Sequence, residues 1–190
     1  GMPLAAALAG KGLRVTGYDI DARRVERLQG GIDDTAELSA GELHHDTLTL
    51  TTDADALRGL DFLIITVPTP ISHANRPDLE PLFSACRTIA PRLHAGQVVI
   101  FESTVYPSAT EADCVPLLEA GSGLKAYEDF RIGYSPERIN PGDATGNLQN
   151  VVKVVAAQDE ETLDAVQALY DIVVEAGTHR AASIAVAEAA

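Results

Sequence analysis

The chain has few basic residues, and this shortage limits what it can bind. Its 14 lysines and arginines stand against 28 acidic residues, which leaves a formal net charge of −14 at pH 7. Nucleic acids and anionic membranes require a basic surface that displaces counterions. Neither is therefore an expected partner, and a phosphate ligand would have to be held by backbone amides and a few local cations.

Long apolar runs are also absent from the sequence. No segment is long enough to span a bilayer, and the N-terminus lacks the charged-then-apolar order of a secretory signal. The expected location is the cytoplasm.

Cysteine and tryptophan are scarce as well, with two cysteines and no tryptophan. Cys86 and Cys114 lie far apart without metal-ligand spacing, so we expect buried or half-buried thiols rather than a disulfide or a zinc site. The adjacent His44 and His45 have no further ligands nearby, which favours solvent-exposed side chains. No metal site is expected.

Apolar segments alternate with helical patterns along the 190 residues, a length that suits one domain with a real core. Strands are predicted over 13–18, 61–67, 97–101, 130–134 and 151–155, with a short one near 172–174. Helices are predicted over 1–9, 21–28, 79–93, 110–120, 160–170 and 181–190, and a loop with short helical turns over 31–52. The pattern predicts an α/β fold, a Rossmann-like and mostly parallel sheet with helices on both faces. Because a helix opens the chain, the first strand of that sheet is expected to be missing or truncated.

Ligands of open parallel sheets bind beyond the carboxyl ends of the strands, and Asp19 follows the first predicted strand. Its distance from Gly1 fits a dinucleotide-binding turn whose last glycine is Gly1 and whose acid binds the adenosine ribose. An acid at this place favours NAD over NADP. Alternatively, Asp19 caps the following helix. Arg24, one turn later, either lies along the ribose or forms a local ion pair.

Two further strand ends carry polar side chains. Thr69 lies between Pro68 and Pro70, which make a stiff loop that on its own indicates only a turn. The segment 102–107 begins with a carboxylate and two hydroxyls, Thr104 among them, directly after the strand 97–101, where they either bind a ligand or cap the next helix.

The last strand end to carry chemistry is the proline-framed loop 133–143. It places the acid Glu137 directly before the base Arg138. The two are either binding residues or a surface salt bridge, and spacing alone does not separate these interpretations.

Taken together and in this order, the sequence motifs at these strand ends resemble those of the UDP-glucose/GDP-mannose dehydrogenase family, and most closely those of its UDP-N-acetylhexosamine branch. The resemblance extends over essentially the whole chain and is carried by residues 1–5, 17–21, 66–70, 77–79, 102–107, 134–143 and 177–180. It implies that residues 1–180 form an NAD-binding Rossmann-like domain. Residues 181–190 would then begin a central helix used between domains and in a homodimer.

The resemblance also implies roles for individual residues. The cofactor-binding residues would be Gly1, Asp19, Arg24, Pro68, Thr69 and Thr104. Glu137, Arg138 and Ile139 would border the UDP-sugar, and Thr104 and Glu137 would take part in catalysis by positioning water or polarising the reacting groups.

In such enzymes the C6 alcohol of the sugar is oxidised to a uronic acid by two successive hydride transfers to NAD, through a cysteine-bound intermediate, for polysaccharide biosynthesis. The expected substrate is a UDP-N-acetylhexosamine. The alternatives are UDP-glucose, GDP-mannose, or a non-catalytic dinucleotide-binding module.

Two departures limit what this chain is expected to do alone. Ala185 stands where the family has a catalytic lysine. Neither Cys86 nor Cys114 stands in the motif of the nucleophilic cysteine, which the family carries in its C-terminal part. The isolated chain is therefore expected not to oxidise sugar.

Overall fold

The structure is a computed structural model that describes residues 1–70, 77–137 and 150–190. The helices in these ranges are α1 Met2–Gly10, α2 Ala22–Gln29, α3 Ala40–Leu43, α4 Glu80–Ile89, α5 Val115–Ser122, α6 Glu160–Asp171 and α7 Ile184–Ala189. The strands are β1 Val15–Tyr18, β2 Leu48–Thr51, β3 Phe62–Ile65, β4 Val98–Phe101, β5 Arg131–Tyr134, β6 Lys153–Ala157 and β7 Thr178–Arg180. No helix in the described part of the chain is long and apolar enough to cross a membrane.

The strands form a parallel pair, β1-β2, and a five-stranded sheet in the order β3-β4-β5-β6-β7. β3, β4 and β5 are parallel, whereas β6 runs antiparallel to β5 and parallel to β7. The α/β fold with a mostly parallel sheet is therefore confirmed. The carboxyl ends of β3, β4 and β5 meet at one edge of the sheet, since Ile65 pairs with Phe101 and Phe101 with Tyr134.

Helices pack on both faces of the sheet, so alternate side chains of β4 are buried in two different hydrophobic cores. Val99 and Phe101 belong to one hydrophobic core, while Val98 and Ile100 belong to the other, because successive side chains of a strand point to opposite faces. The helical members of the first core include Leu82 of α4, Leu118 of α5 and Ile184 of α7. Those of the second include Leu4 and Leu8 of α1 and Leu163 and Val166 of α6.

The prediction of a loop over 31–52 is wrong in part, because β2 lies within it. Leu48 pairs with Val15 and Leu50 with Gly17, so this strand forms along β1. α3 also lies there, and Ser39 and Glu42 form a capping box at its start. The LTLT segment alternates apolar leucines with polar, β-branched threonines at the period of a strand. The prediction of a loop overlooks this signal because the segment is short and lies among turn-forming residues.

The predicted strand near 172–174 is wrong. These residues follow α6 as a turn, and the last strand is β7 at Thr178–Arg180. Val173 and Val174 are buried because they pack in the second core, not because they pair in the sheet. A short apolar run cannot distinguish these two forms of burial.

The helix predicted over 181–190 begins only at Ile184, after the cap residue Ser183, and two further predicted helices differ from the observed ones at their ends. α4 stops at Ile89 and continues as a 3₁₀ turn, Ala90–Arg92, which contains Pro91. The helix predicted from residue 110 begins with a π turn, Thr110–Cys114, before α5. All three changes lie at helix ends, where local patterns are least informative.

Candidate functional site

The N-terminus of α1 lies against the end of β3. A Cβ atom built on Gly1 would lie 2.2 Å from Thr66 Oγ1, so only glycine permits this approach of the backbone. No side chain caps the first turn of α1. The free amides of a helix N-terminus carry partial positive charge and suit a phosphate group.

Asp19 follows β1 and is not the cap of α2. That role belongs to Asp21, whose carboxylate accepts hydrogen bonds from the N–H groups of Arg23 at 2.9 Å and Arg24 at 3.3 Å. Asp19 Oδ1 accepts from the N–H of Asp21 at 2.9 Å, and Asp19 Oδ2 lies 3.4 Å from Arg24 Nε. The interpretation of Asp19 as a helix cap is therefore wrong, and Arg24 forms the local ion pair.

The Asp19–Arg24 pair remains open to a ligand. Each of the two side chains is 38% exposed, and Ile20, the next residue, is 82% exposed. A half-exposed carboxylate at the carboxyl end of a strand can accept hydrogen bonds from the hydroxyls of a ribose.

The loops after β3 and β4 are joined to one another. Ser103 Oγ donates a hydrogen bond to the carbonyl oxygen of Val67 at 2.6 Å, directly before Pro68 and Thr69. Thr104 is exposed although Ser103 and Val105 on either side are buried. The structure thus presents the Thr104 hydroxyl to solvent from a loop that is anchored on both sides.

The capping role considered for the segment 102–107 belongs to another residue. Glu188 of α7 is buried and accepts hydrogen bonds from the N–H groups of Ser108 and Thr110, the latter at 2.9 Å. The sequence did not reveal this contact, because a glutamate in an alanine-rich helix has no local signal for a partner so distant along the chain.

The end of β5 reaches the same edge of the sheet. Tyr134 Oη donates to the carbonyl oxygen of Ser103 at 3.2 Å, and Pro136 is buried while Glu137 is exposed. Of the predicted substrate residues, Glu137 is therefore described at this edge, whereas Arg138 and Ile139 lie outside the described residues.

A buried ion pair lies below these loops, and no local sequence pattern indicated it. Glu102 Oε1 lies 2.6 Å from Lys153 Nζ, with side-chain exposures of 3% and 6%. Tyr170 Oη donates to Glu102 Oε1 at 3.0 Å. Burial, followed by the charge of Glu102, raises the pKa of Tyr170 well above its usual value, which keeps this hydroxyl a donor.

Neither cysteine is placed to react. Cys86 and Cys114 are fully buried, as expected, and are free thiols. Hydrogen bonding between them, followed by burial, raises the pKa of Cys114 and suppresses its nucleophilic thiolate. Among the described residues, no group of His, Cys, Asp and Glu could hold a metal ion, and the exposed His44 ring contacts the carbonyl oxygen of Ala40.

Comparison with known proteins identifies this arrangement. Residues 1–174 match the UDP-glucose/GDP-mannose dehydrogenase family, NAD binding domain. The chain belongs to this family. It is 48% identical to a UDP-N-acetyl-D-glucosamine 6-dehydrogenase of Pseudomonas aeruginosa and 45% identical to Protein CapL of Staphylococcus aureus. Both comparisons cover 100% of the chain but 45% of the relative, so the chain spans a little under half the length of these proteins.

Solved structures of other nucleotide-sugar dehydrogenases have this fold. The UDP-D-ManNAc dehydrogenase of Pyrococcus horikoshii is 30% identical, with a TM-score of 0.90 over 98% of this chain and 46% of that one. A ternary complex of GDP-mannose dehydrogenase from Pseudomonas aeruginosa is 27% identical, with a TM-score of 0.89 over 100% of this chain and 45% of that one. The expected Rossmann-like domain is confirmed.

NAD is the cofactor of this family domain, and the described residues fit it. Glycine allows the close backbone approach at the start of α1, where amides suit the pyrophosphate. The Asp19 carboxylate is accessible at the end of β1, and the Thr104 hydroxyl is accessible after β4.

Proposed function

We propose that this chain is the NAD-binding half of an enzyme that oxidises the C6 alcohol of a UDP-N-acetylhexosamine to the uronic acid, for polysaccharide biosynthesis. The observation that carries the proposal is the identity over the whole chain of 48% and 41% with two relatives named UDP-N-acetyl-D-glucosamine 6-dehydrogenase. Identity falls to 32% and 31% with two named UDP-N-acetyl-D-mannosamine dehydrogenase.

The proposed cofactor residues divide along the strand ends. Asp19 and Arg24 bind the adenosine ribose after β1, and the amides following Gly1 bind the pyrophosphate. Pro68, Thr69 and Thr104 contact the cofactor nearer its nicotinamide, which accepts the hydride when bound. Their positions at the ends of β1, β3 and β4 support this division.

The proposed substrate residues follow β5. Glu137, with Arg138 and Ile139, borders the sugar nucleotide, and Glu137 and Thr104 orient water or polarise the reacting groups at C6. The exposure of Glu137 and Thr104 at neighbouring strand ends supports these roles.

The proposed domain division places the NAD-binding domain at residues 1–180 and the start of the central, dimer-forming helix at 181–190. The family match over 1–174 and the short α7 at Ile184–Ala189 are consistent with it. The proposed location of the enzyme is the cytoplasm.

Ala185 favours a second candidate, a non-catalytic dinucleotide-binding module. It lies half-buried in α7, where the family resemblance expects a lysine. An alanine there provides no ammonium group to take part in proton transfer.

The test is NADH formation by the full-length protein with a panel of UDP-N-acetylhexosamines, UDP-hexoses and GDP-mannose. Turnover with an N-acetylated UDP-sugar at about two NADH per sugar is expected, because a four-electron oxidation requires two hydride transfers. Preference for UDP-glucose or GDP-mannose would contradict the proposed substrate. NAD binding without turnover of any sugar would favour the non-catalytic module.

A further inference from the structure

One buried ammonium group contacts both chain segments that carry the proposed catalytic residues. Lys153 is the first residue of β6 and is 5% exposed. Its Nζ lies 2.6 Å from Glu102 Oε1, 3.5 Å from the carbonyl oxygen of Pro136 and 5.2 Å from the centre of the Tyr170 ring.

The two contacted groups stand next to the proposed site. Glu102 directly follows β4, two residues before the exposed Thr104, and Pro136 directly precedes the exposed Glu137. β4 and β5 are paired at this level through Phe101 and Tyr134. Lys153 therefore connects the segment after β4, which carries Thr104, to the segment after β5, which carries Glu137.

Stability alone does not account for a charged pair at this depth. Removing two charges from water costs free energy, and well-packed apolar residues of similar size often stabilise a fold equally well or better. The pair adds geometric specificity. The ammonium group has several donors and the carboxylate several acceptor sites in defined places, so their hydrogen bonds fix how the two segments lie relative to each other. Tyr170 supplies a second donor to Glu102 and so holds the carboxylate from the other side.

We infer that Lys153 is a positioning residue that holds the Thr104 and Glu137 segments at the spacing required for hydride transfer. Its role in turnover rests on the proposed function. Its role in holding the segment 134–137 in place is a property of the fold and can be measured without any substrate.

The test compares three variants of the full-length protein. Lys153→Met leaves Glu102 buried without its cation, whereas Glu102→Gln/Lys153→Met removes both charges and lets the stability recover. Lys125→Met is the matched control, because Lys125 makes an exposed pair with Glu119 at 3.8 Å. The measurements are Tm, amide hydrogen exchange by peptide, NAD affinity, and kcat and KM with UDP-N-acetylglucosamine.

In the double variant, exchange in peptides covering 131–137 is expected to rise by about tenfold or more while peptides of α1 and β1 stay unchanged, since local opening is separable from global unfolding. NAD affinity should stay within about threefold, because the proposed ribose and pyrophosphate contacts at Asp19, Arg24 and the start of α1 lie on other elements than Glu102 and Lys153, and separate sites without shared partners couple weakly. Turnover should fall about 10- to 100-fold, as misplacement of a reacting group by about 1 Å can do.

Three results would overturn the inference. The first is a double variant with the exchange pattern and kcat of the wild type, which would make the pair a fold-stabilising contact alone. The second is faster exchange spread evenly over all peptides. The third is an equal effect of Lys125→Met. If the wild type oxidises no sugar, the proposed function fails, and the exchange comparison still decides the role of Lys153.

Discussion

Asp19 and Asp21 are close in sequence but serve different purposes. The carboxylate of Asp21 is engaged by the first amides of α2, and that of Asp19 is half exposed beside Arg24. A helix cap contributes to stability, whereas an accessible carboxylate at a strand end contributes to ligand binding.

Asp19→Ala is expected to weaken NAD binding by about tenfold or more, since a hydrogen bond to a charged group contributes about 1.5–3 kcal/mol. Asp19→Ala should change the free energy of unfolding only slightly, because Asp19 does not cap α2. Asp21→Ala is the control and should lower the free energy of unfolding by about 0.5–2 kcal/mol through loss of the cap. Calorimetric NAD titration and urea unfolding separate the two effects. Unchanged NAD affinity in Asp19→Ala would disprove the proposed ribose contact.

Glu188 stabilises the start of the π turn that leads into α5. Glu188→Ala leaves the N–H groups of Ser108 and Thr110 without this acceptor. It should cost about 1–3 kcal/mol, the cost of one unsatisfied buried donor, because Thr110 is buried whereas Ser108 is exposed and water can replace Glu188 there. Glu188→Gln keeps one acceptor oxygen and should cost less. Denaturant unfolding of both variants measures the difference, and equal losses would refute the capping role.

At the scale of elements, Asp159 caps the N-terminus of α6, which makes the helix sensitive to pH. The N–H of Thr162 donates to Asp159 Oδ1 at 2.7 Å, and Arg131 Nη1 lies 3.1 Å from Asp159 Oδ2. The hydrogen bond from Thr162 is the main cause of a lowered pKa, and Arg131 adds to it. A carboxyl group with a depressed folded-state pKa stabilises the fold above its unfolded pKa of about 3.9 and loses this effect as pH falls through the folded value.

Asp159→Asn keeps an acceptor at the cap but removes the charge. We expect it to be less stable than the wild type at pH 6. The difference should shrink as pH falls below the unfolded pKa of about 3.9 and disappear once pH passes below the lowered folded-state pKa, where Asp159 itself becomes neutral. Urea unfolding across this range measures the difference. A gap that stays constant with pH would show that the charge of Asp159 does not stabilise α6.

At the scale of the whole molecule, the 190-residue chain is expected to bind NAD without oxidising UDP-sugars. Its two thiols are buried, and the chain spans 45% of relatives that carry the named activity. A covalent intermediate needs an accessible thiolate, which neither cysteine provides. Fluorescence titration with NAD and an NADH assay with UDP-N-acetylglucosamine check both parts, with the full-length protein as control. Sugar-dependent NADH formation by the chain alone would contradict the prediction.

Local patterns were sufficient for much of the fold and for part of the candidate site. α1 is a run of small apolar residues that ends at glycines, and β3 and β4 are continuous apolar runs bounded by polar or turn-forming residues, so the sequence predicted these elements and the α/β fold. Asp19 and Thr104 could be found because in a parallel sheet the residues after each strand lie at the ligand-binding edge. Their roles in binding stay predictions.

Contacts between distant parts of the chain were decided only by the tertiary structure. β2 and β7 are short strands that depend on the partner lying beside them, and β6 reverses its direction against β5. The bonds of Glu188 to the start of the π turn and of Lys153 to Glu102 join segments with no common local pattern. Strand pairing and the neutralisation of a buried charge depend on which segments the fold brings together. The sequence alone therefore specified most of the helices and strands, whereas the strand pairing and the contacts that support the candidate site were decided only by the tertiary structure.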